Sequence, residues 1–436
     1  MTKKRYAQVG IGGRSEMFTR AITETYKDTC ELVGLCDTNQ GRMDLRNEGL
    51  PGGPVPTFPA DAFDRMIAET KPDVVVVTTI DQFHDLYICR AMELGCDVVT
   101  EKPMTTTAEK CQRIADAVRQ TGRCLRVTFN YRYAPVRSQV KELLMEGLIG
   151  RILSVDFAWL LDIRHGADYY RRWHRRKVNS GGLMVHKATH HFDLVNWWLS
   201  STPVEVFAQG KREFYTPAQA ERYGLAGRGE RCHGCPVADR CRFYWDLTAR
   251  DGHRRMYFDQ ERHDGYIRDQ CVFSDQIDIE DTMDLTVRYA SGATMAYSLN
   301  SFSPWEGYRI NFNGTKGRLE HQVGESSYVS GDGTVPGETI VEKTHIHVFP
   351  HFAPAYDVPL QKARGGHGGG DSPLLDDIFN PDAPPDPLKR AAGLADGAWS
   401  ILTGVAANTS MATGQPVRAD QLVTGLPMPD HPEMKE

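Results

Sequence analysis

Two short segments of the chain carry residues whose types and spacing favour chemistry beside a dinucleotide. The first, Gly10-Ile11-Gly12-Gly13-Arg14-Ser15, follows a strand-like run, so its glycines can form a tight turn whose N–H groups reach a pyrophosphate. The second, Glu101-Lys102-Pro103, places a lysine directly after another strand-like run. Together the two segments predict a bound dinucleotide with a proton-handling group beside it.

A carboxylate at the end of the second predicted strand favours NAD over NADP. Asp37 can accept hydrogen bonds from the adenine ribose hydroxyls there, and its charge would repel a 2′-phosphate. Two alternatives stay open: Asp37 is an ordinary loop or capping residue, or Arg14 or Arg42 holds a phosphate instead. The predicted cofactor-binding residues are Gly10, Gly12, Gly13, Arg14, Ser15, Asp37, Glu101 and Lys102.

A helix predicted over about 183–199 presents a second set of polar groups. His186, His190, Asp193 and Trp197 recur at spacings of four, three and four, so they share one helix face. An apolar stripe on another face packs against the core, and it contains Met184, Ala188, Val195 and Leu199. We expect the polar face to meet a ligand.

The elements that must position these residues fall into two groups. Val-rich runs alternate with helical stretches at Tyr6–Val9, Leu32–Cys36, Val74–Thr78, Asp97–Thr100 and Cys124–Thr128, which predicts a parallel sheet covered on both faces. Alternating apolar and polar segments follow at Ile152–Phe157, Val204–Gly210, Met283–Tyr289, Ala293–Asn300, Tyr308–Asn313 and Gly317–Gln322. These predict a largely antiparallel, open sheet.

The chain length and composition agree with this division. At 436 residues we expect two domains, an α/β Rossmann domain at 1–125 and an α+β domain at 126–436 with an insertion at about 211–275. The net charge of −6 gives no reason to expect nucleic acid or an anionic membrane as partner. No apolar run approaches the roughly 20 residues that span a bilayer, and we see no signal-peptide core, so we expect a cytoplasmic protein.

The combined motifs resemble the Gfo/Idh/MocA oxidoreductases over nearly the whole chain. The matching features are Gly10-Ile11-Gly12-Gly13, Asp37, Glu101-Lys102-Pro103, and Gly181-Gly182 leading into His190 and Asp193. The resemblance implies that Lys102 lies near the nicotinamide and the reacting hydroxyl. It also implies a substrate-binding second domain in a homodimer or homotetramer. His186 stands where these dehydrogenases usually carry an aspartate.

The chemistry of such a site requires a base for the substrate hydroxyl as hydride leaves a sugar carbon. Histidine, or a lysine in a buried site, can have a suitable pKa. We predict that Lys102 and His190 form this pair and that His186 is a further acid or base, or a substrate contact. The alternative is a metal held by His186 and His190, although no glutamate follows His186 as in zincin sites.

A basic segment precedes that helix. Between Arg164 and Lys177 lie six cationic side chains, which could clamp an anionic sugar or could form a solvated face. Tyr131, Arg132 and Trp305 could line the same pocket or could simply pack in the core. His367 could approach a ligand or could lie in a flexible linker. The predicted substrate contacts are Tyr131, Arg132, Arg164, Arg172, Trp173, His174, Trp305 and the glycine-flanked His367.

Four cysteines in the insertion could hold a structural zinc ion. Cys232, Cys235 and Cys241 form a Cys-x2-Cys-x5-Cys pattern, and Cys271 follows further along the chain. Clustered thiolates suit tetrahedral zinc, which would stabilise a segment with little core of its own. A histidine from 233, 253 or 263 could replace one ligand, and an iron–sulfur cluster or unligated thiols are the alternatives.

Three functions are compatible with these observations. The first is an NAD-dependent glycoside hydrolase that acts on a sulfonated or carboxylated sugar, similar to the sulfoquinovosidases of the family. It would oxidise C3 transiently, eliminate the aglycone, add water and return the hydride. The second is a net NAD-dependent sugar or polyol dehydrogenase. The third, a non-catalytic sensor, is disfavoured by the retention of Lys102 and His190.

Overall fold

A computed structural model describes residues 2–327, 329–331, 334–337, 344–362 and 367–435, with only the backbone of residue 367. The described chain contains two sheets, and helices cover both faces of the first. The second sheet is mostly antiparallel. This confirms the predicted fold class.

The first sheet is parallel and six-stranded in the described residues, in the order β3-β2-β1-β4-β5-β6. Val74–Val77 is buried at every position, as expected for a strand covered on both faces. The sequence patterns missed β3, which is short and ends in a proline. The strands are β1 Lys4–Val9, β2 Cys30–Asp37, β3 Thr57–Pro59, β4 Val74–Val77, β5 Asp97–Thr100 and β6 Leu125–Val127.

The helices of this part follow the strands and carry local start and stop signals. The side chain of Thr107 accepts a hydrogen bond from the Lys110 N–H and caps the last of them, which ends at Gly122 in a left-handed conformation. The helices are α1 Glu16–Arg20, α2 Gln40–Glu48, α3 Phe63–Thr70, α4 His84–Glu93 and α5 Ala108–Thr121.

The second sheet is nine-stranded in the described part of the chain, in the order β14-β13-β12-β11-β7-β10-β9-β8-β15. Only the pair β7 and β10 is parallel among its described pairs. The strands are β7 Ile152–Asp162, β8 Pro203–Lys211, β9 Thr282–Tyr289, β10 Thr294–Ser303, β11 Glu306–Gly314, β12 Gly317–Ser326, β13 His345–Pro350, β14 Tyr356–Asp357 and β15 Val417–Arg418.

One face of this sheet packs on helices and the other is exposed. Along β9 the residues Met283, Leu285 and Val287 are buried, and the residues between them are exposed. The remaining helices are α6 Pro135–Met145, α7 Ile163–Arg171, α8 Lys177–Ser180, α9 Leu183–His186, α10 Thr189–Leu199, α11 Pro217–Arg222, α12 Asp251–His253, α13 Glu261–Asp264, α14 Asp371–Phe379 and α15 Leu394–Thr413.

The helix predicted over 183–199 is interrupted. α9 ends at His186 and α10 begins at Thr189, because the Ala188 N–H donates to the carbonyl of Leu183 in a wide turn. Every residue of α10 is buried, so the contrast between a polar and an apolar face is weaker than the spacing indicated.

The C-terminal part of the chain returns to the first sheet. Ala392, Ala398, Ile401 and Leu402 pack in the same apolar cluster as strands of that sheet, while other residues of α15 pack against β8. The division of the chain at residue 125 therefore remains a prediction. In the described residues, no helix is long and apolar enough to cross a membrane.

Candidate active site

A cavity of about 1760 Å³ runs along the carboxyl ends of the parallel strands and continues beneath the second sheet. Its lining includes most of the residues predicted for cofactor and substrate, which lie far apart in the chain. Those it brings together are Gly10, Gly12, Gly13, Arg14, Asp37, Glu101, Lys102, Tyr131, Arg164, Arg172, Trp173, His174, His186 and His190.

The glycine turn between β1 and α1 lies at one end of this cavity. Gly10 has a φ of 87°, and a Cβ there would lie 2.5 Å from the backbone nitrogen of Thr79. A Cβ at Gly12 would point into open space. The turn therefore leaves room for a ligand beside backbone N–H groups.

Ser15 supports this turn from behind. It is fully buried, its hydroxyl donates to the carbonyl of Gly12 at 2.7 Å, and it is absent from the described residues that line the cavity. We therefore assign Ser15 to the shape of the turn and not to direct contact with a cofactor.

Asp37 is held at the end of β2 by two backbone donors. Its carboxylate accepts hydrogen bonds from the N–H groups of Ile11 and Asn39, the latter at 2.8 Å. Burial raises the pKa of this carboxyl, and these N–H donors oppose the shift. The remaining lone pairs of the carboxylate lie at the cavity, where ribose hydroxyls could donate to them.

Both arginines that could have held a phosphate are paired with carboxylates. Arg42 Nη1 lies 2.8 Å from Asp264 Oδ2, and Arg14 Nε lies 2.6 Å from Glu101 Oε1. These pairs reduce the positive charge available to a 2′-phosphate, so the geometry agrees with a preference for NAD.

Lys102 follows β5 and reaches the central part of the cavity. Its Nζ donates to the carbonyl of His186 at 3.1 Å. Loss of solvent at the cavity wall lowers the pKa of Lys102 to about 8, although the carboxylates of Asp81 and Glu101 act in the opposite direction. An amine with such a pKa can exchange a proton near neutral pH.

A carboxyl–imidazole pair lies beside this lysine. Asp81 Oδ2 and His186 Nδ1 are 2.5 Å apart, and both side chains are buried. Burial raises the pKa of Asp81 and lowers that of His186, so the pair holds one proton between its two atoms. Asp81 was missed in the sequence; its one signal is its place after β4, at the same edge of the sheet as Lys102.

His190 lies in an aromatic part of the wall. Its ring stacks on that of Tyr131, with 4.1 Å between the two centroids. The guanidinium of Arg137 also lies 4.1 Å from the centroid of the Tyr131 ring. The ammonium of Lys187 donates to the Tyr131 hydroxyl at 3.2 Å. Tyr131 therefore both lines the cavity and packs the histidine in place.

The cavity contains a second group of residues that can move a proton, and the sequence patterns did not predict it. His165 Nδ1 lies 2.6 Å from Glu306 Oε1, and His165 Nε2 lies 2.9 Å from the hydroxyl of Tyr169. All three residues line the cavity. Glu306 follows its partner by more than a hundred residues in the chain, so no local pattern could have joined them.

The basic segment forms one wall. Asp168 accepts hydrogen bonds from Arg172 Nη1 at 3.1 Å and from Arg268 Nη1 at 2.7 Å, and these guanidiniums hold the pKa of its carboxyl well below the usual range despite burial. Arg268 comes from the insertion and was not predicted. Among the described lining residues, cationic side chains outnumber acidic ones although the chain carries a net charge of −6.

Trp173 and His174 belong to the same wall. Their rings stack at 3.6 Å, and His174 meets the ring of His186 edge-on at 4.2 Å. Burial and neighbouring cations, including Arg172, lower the pKa of His174 well below its usual value. This histidine is therefore neutral at physiological pH.

Two predicted substrate contacts, Arg132 and Trp305, are placed differently. Instead of lining the cavity, Arg132 is 1% exposed and binds Asp193 at 2.5 and 2.8 Å, which also removes Asp193 from the ligand face predicted for α10. Trp305 packs under the guanidinium of Arg309, 5.5 Å from the ring centroid, and is not among the described lining residues. The side chain of His367 lies outside the described residues.

The four cysteines converge, but the structure does not support the predicted zinc. Cys232, Cys235, Cys241 and Cys271 line a small cavity of about 20 Å³. In the described ranges, no group of three or more histidine, cysteine, aspartate or glutamate side chains could hold a metal ion. The thiols instead bond to the protein: Cys232 Sγ accepts from Arg171 at 3.3 Å, and Cys235 Sγ accepts from the Gly229 N–H at 3.3 Å.

The insertion that carries these cysteines also covers the dinucleotide end of the cavity. The hydroxyl of Tyr257 accepts a hydrogen bond from the Gly13 N–H at 3.1 Å, and Asn39 Nδ2 donates to the carbonyl of Gln260 at 3.0 Å. His253, Tyr257 and Tyr266 line the cavity. The insertion is therefore part of the cavity wall, a position that the sequence patterns did not predict.

Comparison with known families agrees with this arrangement. Residues 4–129 match the description "Oxidoreductase family, NAD-binding Rossmann fold", and residues 141–418 match "Oxidoreductase family, C-terminal alpha/beta domain". The chain belongs to the Gfo/Idh/MocA oxidoreductase family. This confirms the resemblance carried by the glycine turn, Asp37 and Glu101-Lys102-Pro103.

The names of similar proteins describe different activities. YteT of Bacillus subtilis, named as an oxidoreductase, is 38% identical over 426 residues, which is 95% of this chain and 97% of YteT. The D-glucoside 3-dehydrogenase of Escherichia coli is 27% identical over 46% of this chain and 55% of its own length. Glycosyl hydrolase family 109 protein 1 of Akkermansia muciniphila is 26% identical over 43% of this chain and 41% of its own length.

The residues of the first domain fit the NAD that the family match describes. The open space at Gly12, beside the start of the helix, suits a pyrophosphate, and the Asp37 carboxylate suits the ribose hydroxyls. When bound, NAD supplies a hydride acceptor that can also return the hydride. Side chains that could move a proton, including Lys102 and His186, line the same cavity.

Proposed function

We propose that this protein is an NAD-dependent glycoside hydrolase for an anionic sugar glycoside, with a sulfonate or carboxylate on the sugar. The reaction oxidises C3, eliminates the aglycone across C1 and C2, adds water and reduces C3 again. The observation that carries the proposal is that the amine of Lys102, the glycine turn and two further acid–base groups line one cavity.

Lys102 takes the proton of the C3 hydroxyl as the hydride leaves the carbon. His190, stacked on Tyr131, lines the same cavity and is proposed as the second member of the pair. A base positioned in this way typically contributes about 10²–10⁴-fold to the rate.

The later steps favour the hydrolase because they need additional proton carriers. A carbonyl at C3 makes the C2 proton acidic, so elimination requires a second base and hydration requires the matching acid. The Asp81–His186 pair holds one proton, and a tyrosine–histidine–glutamate chain lies in the same cavity. A net dehydrogenase needs only the first proton transfer. The partial similarity to a glycosyl hydrolase family 109 protein also supports this choice.

The anionic substrate is inferred from the basic wall. Arg172 and Arg268 share one carboxylate, that of Asp168, which leaves positive charge at the cavity, and Arg164 lies on the same wall. Guanidinium groups bind carboxylate and sulfonate oxygens through paired hydrogen bonds. The sugar ring then lies between this wall and Lys102.

A net sugar dehydrogenase is the second candidate function. The similarity to a D-glucoside 3-dehydrogenase supports oxidation at C3 of a glycoside without committing the protein to elimination. It shares the first step with the hydrolase, so the roles of Lys102 and the glycine turn are the same in both.

The deciding experiment is turnover of 4-nitrophenyl glycosides of a neutral hexose, a hexuronic acid and a 6-sulfonated hexose with catalytic NAD. Nitrophenol release and NADH absorbance are followed together. We expect nitrophenol without stoichiometric NADH, and more of it from the anionic sugars. NADH that accumulates with free sugars and no aglycone release makes the protein a dehydrogenase, and no signal in either channel supports a sensor.

We also propose that the protein is a homodimer or homotetramer. The exposed face of the second sheet supports this, because an open sheet face can bind another subunit. Light scattering coupled to gel filtration measures the mass directly. A mass near the 48.9 kDa of one chain contradicts the proposal.

A further inference from the structure

The chain Tyr169–His165–Glu306 has a geometry suited to moving a proton. Asp162 caps α7 by accepting hydrogen bonds from the N–H groups of Arg164 and His165 at 3.0 and 2.9 Å. This fixes the start of the helix, and His165 and Tyr169, four residues apart, then lie on one face. Glu306, at the start of β11, meets His165 from the second sheet.

The direction of each hydrogen bond follows from the charge of Glu306. Burial alone would raise the pKa of this carboxyl, but its hydrogen bonds with His165 and with the Asp162 N–H and the nearby ammonium of Lys187 lower it. A carboxylate only accepts, so His165 Nδ1 carries the proton between them. In the neutral imidazole Nε2 is then the acceptor, and the Tyr169 hydroxyl donates to it.

Tyr169 cannot act as a free phenolate at neutral pH, because burial raises its pKa above the usual value. The hydrogen bond to His165 removes this difficulty. When the phenol oxygen accepts a proton from a substrate, its own proton can pass to His165 Nε2 at the same time. The imidazolium that results lies 2.6 Å from the Glu306 carboxylate, which stabilises the charge.

Tyr169 also lies beside the groups that surround Lys102. Its ring meets those of His186 and His174 at 5.6 and 5.4 Å between centroids. We propose that Tyr169 is the acid–base residue for the C2 proton of the sugar, with His165 and Glu306 as positioning residues. This inference rests on the proposed hydrolase function and names the group that performs its second proton transfer.

The step balances without any further redox partner. After C3 is oxidised, the C2–H bond breaks and its electron pair forms the C1=C2 double bond as the bond from C1 to the aglycone oxygen breaks. The C2 proton goes to Tyr169, and the phenol proton goes to His165. In hydration, water adds its oxygen to C1, the relay returns a proton to C2, and the proton that water loses neutralises the departed aglycone.

The test compares the wild type with Tyr169→Phe and a matched control, Tyr170→Phe. The hydroxyl of Tyr170 bonds to the Glu280 carbonyl and the Ser301 hydroxyl and lies outside the described cavity lining. Each enzyme, loaded with NAD, is mixed with 4-nitrophenyl glycosides of a hexuronic acid and of a 6-sulfonated hexose in D₂O. Single-turnover NADH absorbance, nitrophenol release and deuterium at C2 are measured.

We expect Tyr169→Phe to reduce NAD in a single turnover as the wild type does, while deuterium incorporation and nitrophenol release fall about 10²–10⁴-fold. Tyr170→Phe should retain all three signals. His165→Asn should reproduce the loss, and it provides the same test if the tyrosine variant does not fold. Glu306→Gln should also shift the pH profile of deuterium exchange, which loss of packing alone would not do.

Two results overturn the inference, and they differ from each other. If Tyr169→Phe incorporates deuterium at the wild-type rate, another group moves the C2 proton and the hydrolase proposal is unaffected. If the wild type itself reduces NAD but shows neither exchange nor nitrophenol release, the hydrolase proposal fails, and the inference fails with it.

Discussion

The guanidinium of Arg42 is held by the carboxylate of Asp264, 2.8 Å away, across the contact between the first sheet and the insertion. Both side chains are nearly buried. Arg42 follows β2, where a 2′-phosphate would lie, so this pair determines how much positive charge such a phosphate would meet. We therefore expect the insertion to influence cofactor choice as well as to cover the site.

Replacing Asp264 by asparagine should improve binding of NADP relative to NAD. The change frees the charge of Arg42, and a charged hydrogen bond contributes about 1.5–3 kcal/mol. We expect the NADP to NAD affinity ratio to rise about tenfold, measured by calorimetric titration of both cofactors. Arg255→Gln is the control, because its pair with Glu48 also joins the insertion to the first sheet but is exposed. An unchanged ratio in the Asp264 variant contradicts the role of Arg42.

The pKa of Lys102, lowered to about 8, predicts the pH dependence of hydride transfer. Only the neutral amine accepts a proton, so the rate should increase as the pH rises toward 8 and level off above it. Single-turnover NADH formation between pH 6 and 9.5 measures this. Lys102→Met should lower the rate about 10²–10⁴-fold with NAD still bound, while Lys27→Met on the surface should change nothing. A flat profile would show that another group is the base.

Asp81→Asn tests the proton shared with His186. An amide cannot give up or take a proton here, so we expect kcat for aglycone release to fall at least about tenfold with little change in NAD affinity. Asp85→Asn is a matched control on α4, because Asp85 is also buried but pairs with Lys110 at 3.3 Å, away from the cavity. That variant should lose stability without losing rate per folded molecule. Equal rates for Asp81→Asn and the wild type would remove the pair from the mechanism.

The parts of the site that sequence patterns predicted are those tied to strand ends. Gly10, Asp37 and Lys102 each follow a Val-rich or apolar strand, and the carboxyl ends of parallel strands meet at one edge of a sheet. The alternation of β9 and its neighbours likewise predicted an antiparallel sheet with one open face. In these cases the local pattern and the tertiary position depend on the same backbone geometry.

The residues that were missed or misplaced depend on contacts between distant segments. Glu306 meets His165 only because β11 lies beside β7, and Arg268 reaches Asp168 only because the insertion folds back over the cavity. The break at Lys187 within the predicted helix involves neither a proline nor a glycine, and it coincides with the hydrogen bond from the Ala188 N–H to the Leu183 carbonyl. No local spacing could have revealed these arrangements.

Arg268 should contribute to recognition of an anionic sugar. We expect Arg268→Gln to raise KM for the hexuronic acid glycoside about tenfold, since one charged hydrogen bond is lost, with little change for the neutral glycoside. Lys177→Gln is the control, because Lys177 ends the same basic segment but pairs with Glu280 outside the described cavity lining. Equal effects on both glycosides would indicate that Arg268 has a structural role only.

Arg132 should behave as a structural residue and not as a substrate contact. Its guanidinium binds Asp193 and Asp396, and all three side chains are buried. Removing one partner of a buried ion pair leaves an uncompensated charge and lowers the free energy of unfolding by about 3–5 kcal/mol. Because Asp396 still pairs with Arg132, we expect Asp193→Ala to lie near the lower end of this range.

The midpoint of urea denaturation measures this loss for Asp193→Ala, with KM and kcat measured on the folded fraction. Arg418→Gln is the control, since its pair with Asp420 is more exposed and should contribute less than about 1 kcal/mol. We expect a large shift in the midpoint for Asp193→Ala and an unchanged KM. A raised KM with an unchanged midpoint would instead place the Arg132–Asp193 pair in substrate binding.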